Sequence, residues 1–171
     1  VDSETLLKQM DANGLTVSHN SNTPGAHAVI INTCGFIKDA KEESIDTILQ
    51  YVREKEKGNI QQLYVMGCLS ERYRNELEKE ISDVDKYFGA NNLKDIIETL
   101  GYNYKDQLTG ERLLTTPNHY AYLKISEGCD RQCSFCAIPL MRGKHKSKPI
   151  GVLIREAENL VNQGVKELIL I

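Results

Sequence analysis

The chain has 171 residues, which is enough for one ordinary domain or slightly more. Hydrophobic residues make up 40% of it, charged residues 26%, and the net charge is −3; this globular composition excludes a low-complexity or disordered chain. The mild acidity gives no overall indication of nucleic-acid binding. No uninterrupted apolar stretch is long enough to cross a bilayer and no leader is visible, so we expect a cytoplasmic protein without a membrane partner.

The two ends of the chain are typical of a piece of a longer protein. The sequence starts at Val1 rather than Met, directly in helix-like sequence, and it stops on the apolar, strand-like run 168–171. We therefore expect further sequence on both sides.

The first hundred residues alternate between helix-like and strand-like segments. Helices are indicated by apolar residues that recur on one face and by capping or stop residues, such as Ser3 and Gly14 around the first segment. Strands are indicated by short apolar runs. This alternation predicts an α/β fold whose amino-terminal domain is a doubly wound parallel sheet. The predicted elements are helix 2–13, strand 28–32, helix 38–57, strand 63–66, helix 70–81, strand 86–89 and helix 93–100.

The pattern lapses after the first hundred residues and then resumes. Residues 102–118 contain scattered Gly, Asn and Pro without periodicity, so we predict a linker. An alternating strand at 120–126, a helix at about 151–163 and a strand at 167–171 then form one βαβ unit. The predicted organisation is an amino-terminal domain at 1–101, the linker, and the start of a second domain at 119–171.

Three of the five cysteines lie close together in the loop after strand 120–126. Cys129, Cys133 and Cys136 form the pattern C-x3-C-x2-C, a spacing that suits a metal or cluster site better than a disulfide framework. Three thiolates can bind three irons of a 4Fe–4S cubane and leave the fourth iron open to a substrate or cofactor. A zinc site is the alternative, but structural zinc normally takes four ligands and His145 is the only histidine close behind the loop. The pattern therefore favours an iron–sulfur cluster.

The other two cysteines, Cys34 and Cys68, each follow a predicted parallel strand and precede a helix. Ligands bind at this edge of open α/β sheets, and helix amino termini there stabilise the negative charge of thiolates. Two cysteines alone do not establish a site, because free cysteine is often simply buried.

A basic run follows the three-cysteine loop. Residues 142–148 contain four cations and a histidine. They could bind a carboxylate, a phosphate or an acidic partner, but a solvated turn is the favoured interpretation for most of these side chains.

The three-cysteine loop, with an aromatic residue directly before its last cysteine, resembles the radical S-adenosylmethionine (SAM) superfamily. The segments around it resemble the methylthiotransferases of that superfamily, and this likeness covers essentially the whole chain. The segments that carry it are 1–4 (VDSE), 32–37 (NTCGFI), 120–129 (YAYLKISEGC), 139–143 (PLMRG) and 147–149 (SKP).

For the second domain, the resemblance implies the beginning of a radical SAM partial TIM barrel. One 4Fe–4S cluster would be held by Cys129, Cys133 and Cys136, and its open iron would bind SAM. Phe135 would lie near the adenine of SAM, and Arg142 would be a further cofactor-binding residue. No other side chain of the chain is assigned a catalytic role.

For the amino-terminal domain, the resemblance implies an auxiliary 4Fe–4S cluster. Cys34 and Cys68 match two of its three cysteines, and the third would lie a few residues before the position of Val1. The chain as given therefore lacks one expected ligand.

The family has two branches with different substrates. One methylthiolates an adenosine of tRNA, and the other adds a methylthio group to the β-carbon of an aspartate in a small-subunit ribosomal protein. Segments 32–44 and 142–145 resemble the ribosomal-protein branch more closely. The resemblance thus implies a transferase that uses SAM as methyl donor and as radical source, with an electron donor such as flavodoxin or ferredoxin. The tRNA branch and a non-catalytic iron–sulfur or zinc-binding module are the alternatives.

Overall fold

The structure, a computed structural model, describes residues 1–21 and 25–171 and is a mixed α/β fold. The helices begin and end close to the bounds expected from the periodicity of their apolar residues. The helices are α1 (Asp2–Ala12), α2 (Lys38–Glu56), α3 (Cys68–Glu80), α4 (Leu93–Thr99), α5 (Ile138–Arg142), α6 (Ile150–Asn162) and a short 3-10 helix at Asp106–Leu108. The strands are β1 (Ala28–Thr33), β2 (Gln62–Gly67), β3 (Lys86–Tyr87), β4 (Tyr120–Leu123), β5 (Ser126–Glu127), β6 (Lys146–Ser147) and β7 (Glu167–Leu170).

The first half of the chain contains a three-stranded parallel sheet in the order β1-β2-β3. β1 and β2 pair from Ala28 opposite Gln62 to Thr33 opposite Gly67. β2 is buried along its length after its first residue, as expected of a central strand covered on both faces. The predicted α/β class with an amino-terminal parallel sheet is confirmed.

The second half contains the predicted βαβ unit. β4 and β7 pair in parallel, and α6 is the helix between them in sequence. A small core forms where Ala121 and Leu123 of β4 pack with Leu160 of α6 and Val165. The barrel of which this unit would be the start stays a prediction.

The described chain divides into two compact units, each assembled from separate stretches. One consists of Asn20–Asn92 and Gly128–Gly143, and it contains all five cysteines; we call it the cysteine unit. The other consists of Val1–His19, Leu93–Glu127 and Lys144–Ile171. The domain boundaries expected from the sequence stay a prediction.

Three predicted elements have different bounds in the structure, one of which is the strand predicted at 86–89, which ends at Tyr87. The strand predicted at 120–126 is broken after Leu123, and its last part forms β5, which pairs antiparallel with β6. The break coincides with Lys124, whose ammonium group lies 2.7 Å from the carboxylate of Glu127. The helix predicted from residue 70 begins two residues earlier, at Cys68.

The predicted linker contains a buried arginine. The Nη1 of Arg112 lies 3.2 Å from Oε2 of Glu4, and its Nε lies 3.5 Å from Oε1 of Glu156; all three side chains are almost fully buried. Lys148 also pairs with Glu156, at 2.8 Å. This part of residues 102–118 is therefore fixed against α1 and α6 of its own unit.

No helix within residues 1–21 and 25–171 is both long and apolar enough to span a bilayer.

Candidate functional site

Cys34 and Cys68 lie side by side at the carboxyl edge of the parallel sheet. Thr33 and Gly67 are the last paired residues of β1 and β2, so each cysteine is the next residue along its strand. Cys34 is exposed, whereas Cys68 is buried and is the first residue of α3. The backbones approach closely here, because a Cβ on Gly35 would lie 2.9 Å from the carbonyl carbon of Cys68. Glycine at this position therefore permits the two cysteine segments to touch.

The amide of Cys34 is held by a side chain of α2. Its N–H donates to Oγ of Ser44 at 3.1 Å, and the Ser44 hydroxyl donates to the carbonyl of Ala40 at 2.7 Å. Ser44 is 9% exposed, so this contact is shielded from water. Sequence reasoning included Ser44 in the family-like segment 32–44 but did not assign it this contact.

The segment that carries Cys68 is tied to the loop after β3. Ser70 Oγ donates to the carbonyl of Phe88 at 2.5 Å, and Ala90 N–H donates to Oε2 of Glu71 at 3.0 Å. These contacts join residues 18 and 19 positions apart, and a sequence pattern gives no signal for such pairs.

Backbone hydrogen bonds join the two ends of the segment that contains the three-cysteine loop and form a turn within the loop. Cys129 N–H donates to the carbonyl of Gly143 at 3.0 Å, and Cys136 N–H donates to the carbonyl of Cys133 at 3.1 Å. Arg131 N–H points at Sγ of Cys129, 3.4 Å away. Hydrogen bonds to sulfur are one of the means by which proteins tune the reduction potential of a cluster.

Both cysteine sets belong to the cysteine unit. The helix that follows the loop, α5, packs against α3, and Met141 of α5 is 1% exposed. The first residue of α3 is Cys68. The fold therefore joins the loop to the same helix that begins with a cysteine of the other set.

The donor chemistry of these residues fits iron–sulfur ligation. All five cysteines are free thiols, and the loop that carries three of them is largely open to solvent. In the described part of the chain no three His, Cys, Asp or Glu side chains converge to hold a single metal ion. A cubane places its cysteines on different irons, so its ligands lie farther apart than those of a single ion. The thiols of the loop and of the sheet-edge pair are donors of the right kind, and their binding to clusters stays a prediction.

Of the two expected SAM-binding residues, Phe135 lies before α5 and Arg142 lies at its end. Phe135 is 93% exposed, so it is not a core residue of the cysteine unit. Arg142 is the last residue of α5 and is partly buried. Their cofactor contacts stay predictions.

The side chains of the basic run differ in their surroundings. Lys148 is engaged by the buried carboxylate of Glu156, and Nε2 of His145 lies 3.1 Å from Oγ of Ser147. Lys144 and Lys146 are exposed. Lys148 thus has a structural contact, whereas Lys144 and Lys146 are solvated; whether the run binds an anion stays a prediction.

Comparison with known proteins places this architecture in a family. The model of "Uncharacterized protein family UPF0004" matches residues 1–89, which is more than half of the chain. The chain belongs to the UPF0004 family. The matched residues of this UPF0004 member include the parallel sheet, Cys34 and Cys68.

Curated relatives of this UPF0004 chain carry the name "Ribosomal protein uS12 methylthiotransferase RimO". The relative from Cytophaga hutchinsonii is 56% identical over 100% of the chain. Those from Flavobacterium johnsoniae and Flavobacterium psychrophilum are 57% and 58% identical over 99% of it. The chain spans 39% of the length of each of these three proteins. The likeness to methylthiotransferases that the motifs indicated is confirmed.

Proposed function

We propose that this chain is part of a radical SAM methylthiotransferase that modifies the β-carbon of an aspartate in ribosomal protein uS12, a small-subunit protein. One observation carries the proposal: a single compact unit holds a C-x3-C-x2-C loop together with two cysteines at the edge of a parallel sheet. The proposal is supported by 54–58% identity to proteins named as uS12 methylthiotransferases.

In this proposal Cys129, Cys133 and Cys136 hold a 4Fe–4S cluster and leave one iron free for SAM. When bound, the cluster supplies the electron that cleaves SAM to methionine and a 5′-deoxyadenosyl radical. The backbone amide of Arg131 donates to the Cys129 sulfur, and the exposed ring of Phe135 offers a face for the adenine.

Arg142 provides a charge for the carboxylate of SAM, because a guanidinium can pair with a carboxylate through two parallel hydrogen bonds. Cys34 and Cys68 hold an auxiliary 4Fe–4S cluster together with a cysteine upstream of Val1. Cys34 and Cys68 directly follow two adjacent strands, and Gly35 lets the two cysteine segments approach each other.

The partners follow from this chemistry. The reduction of SAM requires a one-electron donor, for which flavodoxin or ferredoxin is suitable. The protein substrate is uS12, and the reaction takes place in the cytoplasm, where ribosomes are assembled.

Substitution of one cysteine from each set tests the division of labour. In the full-length protein, Cys133→Ala abolishes formation of 5′-deoxyadenosine from SAM and dithionite, because the cluster that binds SAM loses a ligand. Cys68→Ala leaves 5′-deoxyadenosine formation intact but stops sulfur insertion. Chromatography of the nucleoside and mass spectrometry of uS12 measure the two outcomes.

Methylthiolated uS12 from the Cys68→Ala protein would refute the role given to the sheet-edge pair. An absence of 5′-deoxyadenosine with the unsubstituted protein would instead favour a non-catalytic iron–sulfur or zinc-binding module.

A further inference from the structure

The turn of α3 that carries Cys68 is not continuous with the rest of the helix. Tyr73 has a non-helical backbone (φ −122°, ψ 28°), so the first turn is separated from the residues that follow it. The residue before the helix, Gly67, has a φ of 108° and allows the chain to change direction there. With a break on each side, the position of this turn depends on contacts from elsewhere in the fold.

Those contacts come from the loop after β3. Ala90 N–H donates to Oε2 of Glu71 at 3.0 Å, and Gly89 N–H donates to Oδ1 of Asn92 at 2.8 Å. The Glu71 carboxylate fits into the space that a side chain at Gly89 would fill, since a Cβ there would lie 1.8 Å from Oε2. Ser70 adds the bond to the carbonyl of Phe88.

Glu71 lies three residues after Cys68, and residues at this separation are neighbours on one face of a helix. A carboxylate beside a thiolate is electrostatically unfavourable, because like charges repel. Glutamate is therefore an unexpected choice for this position unless its oxygen is needed as an acceptor. The oxygen does act as an acceptor, because Oε2 of Glu71 accepts the hydrogen bond from the Ala90 N–H.

We propose that Glu71 is a positioning residue for Cys68 as a cluster ligand. Its carboxylate occupies the space beside Gly89 and accepts the Ala90 N–H there, which fixes the helical turn that carries Cys68. The inference rests on the proposed function, since it assumes that Cys68 binds the auxiliary cluster. In this role Glu71 acts through its acceptor oxygen and not through its negative charge.

The test uses full-length protein in which Cys129, Cys133 and Cys136 are all changed to Ala, so that only the auxiliary cluster can form. Four variants are made in this parent: Glu71→Ala, Glu71→Gln, Gly89→Ala and, as a control, Glu76→Ala, which removes another exposed carboxylate of α3. After anaerobic reconstitution, the measurements are iron per chain, the electron paramagnetic resonance spectrum of the reduced cluster, and the rate at which an iron chelator removes it.

Glu71→Ala and Gly89→Ala are expected to lose the cluster about 10- to 100-fold faster than the parent. Removal of an outer contact commonly weakens metal binding by about this factor, and we expect weaker binding to speed removal by the chelator. Glu71→Gln is expected to match the parent in rate and spectrum, since its amide oxygen can still accept the hydrogen bond. Glu76→Ala is also expected to match it.

Two results would overturn the inference: Glu71→Ala with the chelation rate and spectrum of the parent, or Glu71→Gln with the fast loss expected of Glu71→Ala. Glu71→Gln tests the inference even if the alanine variants do not fold. A parent that takes up no iron at all would be a different failure, because it would contradict the auxiliary cluster of the proposed function and the inference with it.

Discussion

At Gly67 both the backbone conformation and the surrounding backbone atoms disfavour a side chain. Its φ of 108° lies in the left-handed region, and a Cβ there would lie 2.4 Å from the carbonyl oxygen of Thr33. Gly58 offers a matched comparison, because its φ of 77° is also positive but nothing lies within 4 Å of a Cβ there.

Gly67→Ala is expected to lower the free energy of unfolding by more than about 2 kcal/mol, since the conformational cost adds to a backbone clash. Gly58→Ala has only the conformational cost, about 1 kcal/mol. Urea unfolding of the two variants measures the difference, and equal losses would show that the contact with Thr33 is not tight.

At the same scale, the sequence identified the cysteines but not the residues that orient them. Cys129, Cys133 and Cys136 are recognisable because their chemistry depends on spacing within one short loop. Ser44 and Glu71 act through contacts with backbone groups in other segments, and only the folded chain brings these together. A local sequence pattern does not predict which distant residues will contact each other.

At the scale of elements, Asp85 links α2 to the sheet. Its Oδ2 accepts hydrogen bonds from Nζ of Lys55 and from the N–H of Leu63, both at 2.7 Å. Burial alone would raise the pKa of Asp85, but the hydrogen bonds from Lys55 and Leu63 together hold this pKa below its ordinary value. A carboxyl with a lowered folded-state pKa stabilises the fold above its unfolded pKa and loses this contribution as the pH falls through the folded value.

Asp85→Asn is therefore expected to be less stable than the natural chain near neutral pH, by no more than about 1 kcal/mol because the ion pair is partly exposed. The difference should start to shrink as the pH falls below about 4, the ordinary pKa of Asp in the unfolded chain, and should vanish as the pH falls through the lower folded-state pKa. Urea unfolding at a series of pH values measures it. A difference that stays constant down to about pH 2 would contradict the assigned cause.

The elements that were predicted well are the long ones. α2 and α6 carry repeated apolar positions over several turns, so their type and approximate bounds follow from periodicity. The two-residue strands β5 and β6 exist only because they pair with each other, and no pattern within either one indicates this. Arg112 is a similar case, since its partners Glu4 and Glu156 lie far away in the sequence.

At the scale of the whole molecule, the α/β order and the family were both accessible from sequence. The sequence places the three-cysteine loop at the start of a second domain, and those domain boundaries stay a prediction. In the structure Gly128–Gly143 belongs to the same compact unit as the parallel sheet, because α5 packs against α3. This grouping supports the proposed function, because both cysteine sets then belong to the cysteine unit.

The most direct test of the proposed function is the mass of ribosomal protein uS12 after incubation with the full-length reconstituted protein, SAM and dithionite. The expected result is the addition of one methylthio group to an aspartate of uS12, together with 5′-deoxyadenosine. Transfer RNA in a parallel reaction is expected to stay unmodified. Methylthiolated tRNA with unmodified uS12, or 5′-deoxyadenosine without any methylthiolated product, would contradict the proposed function.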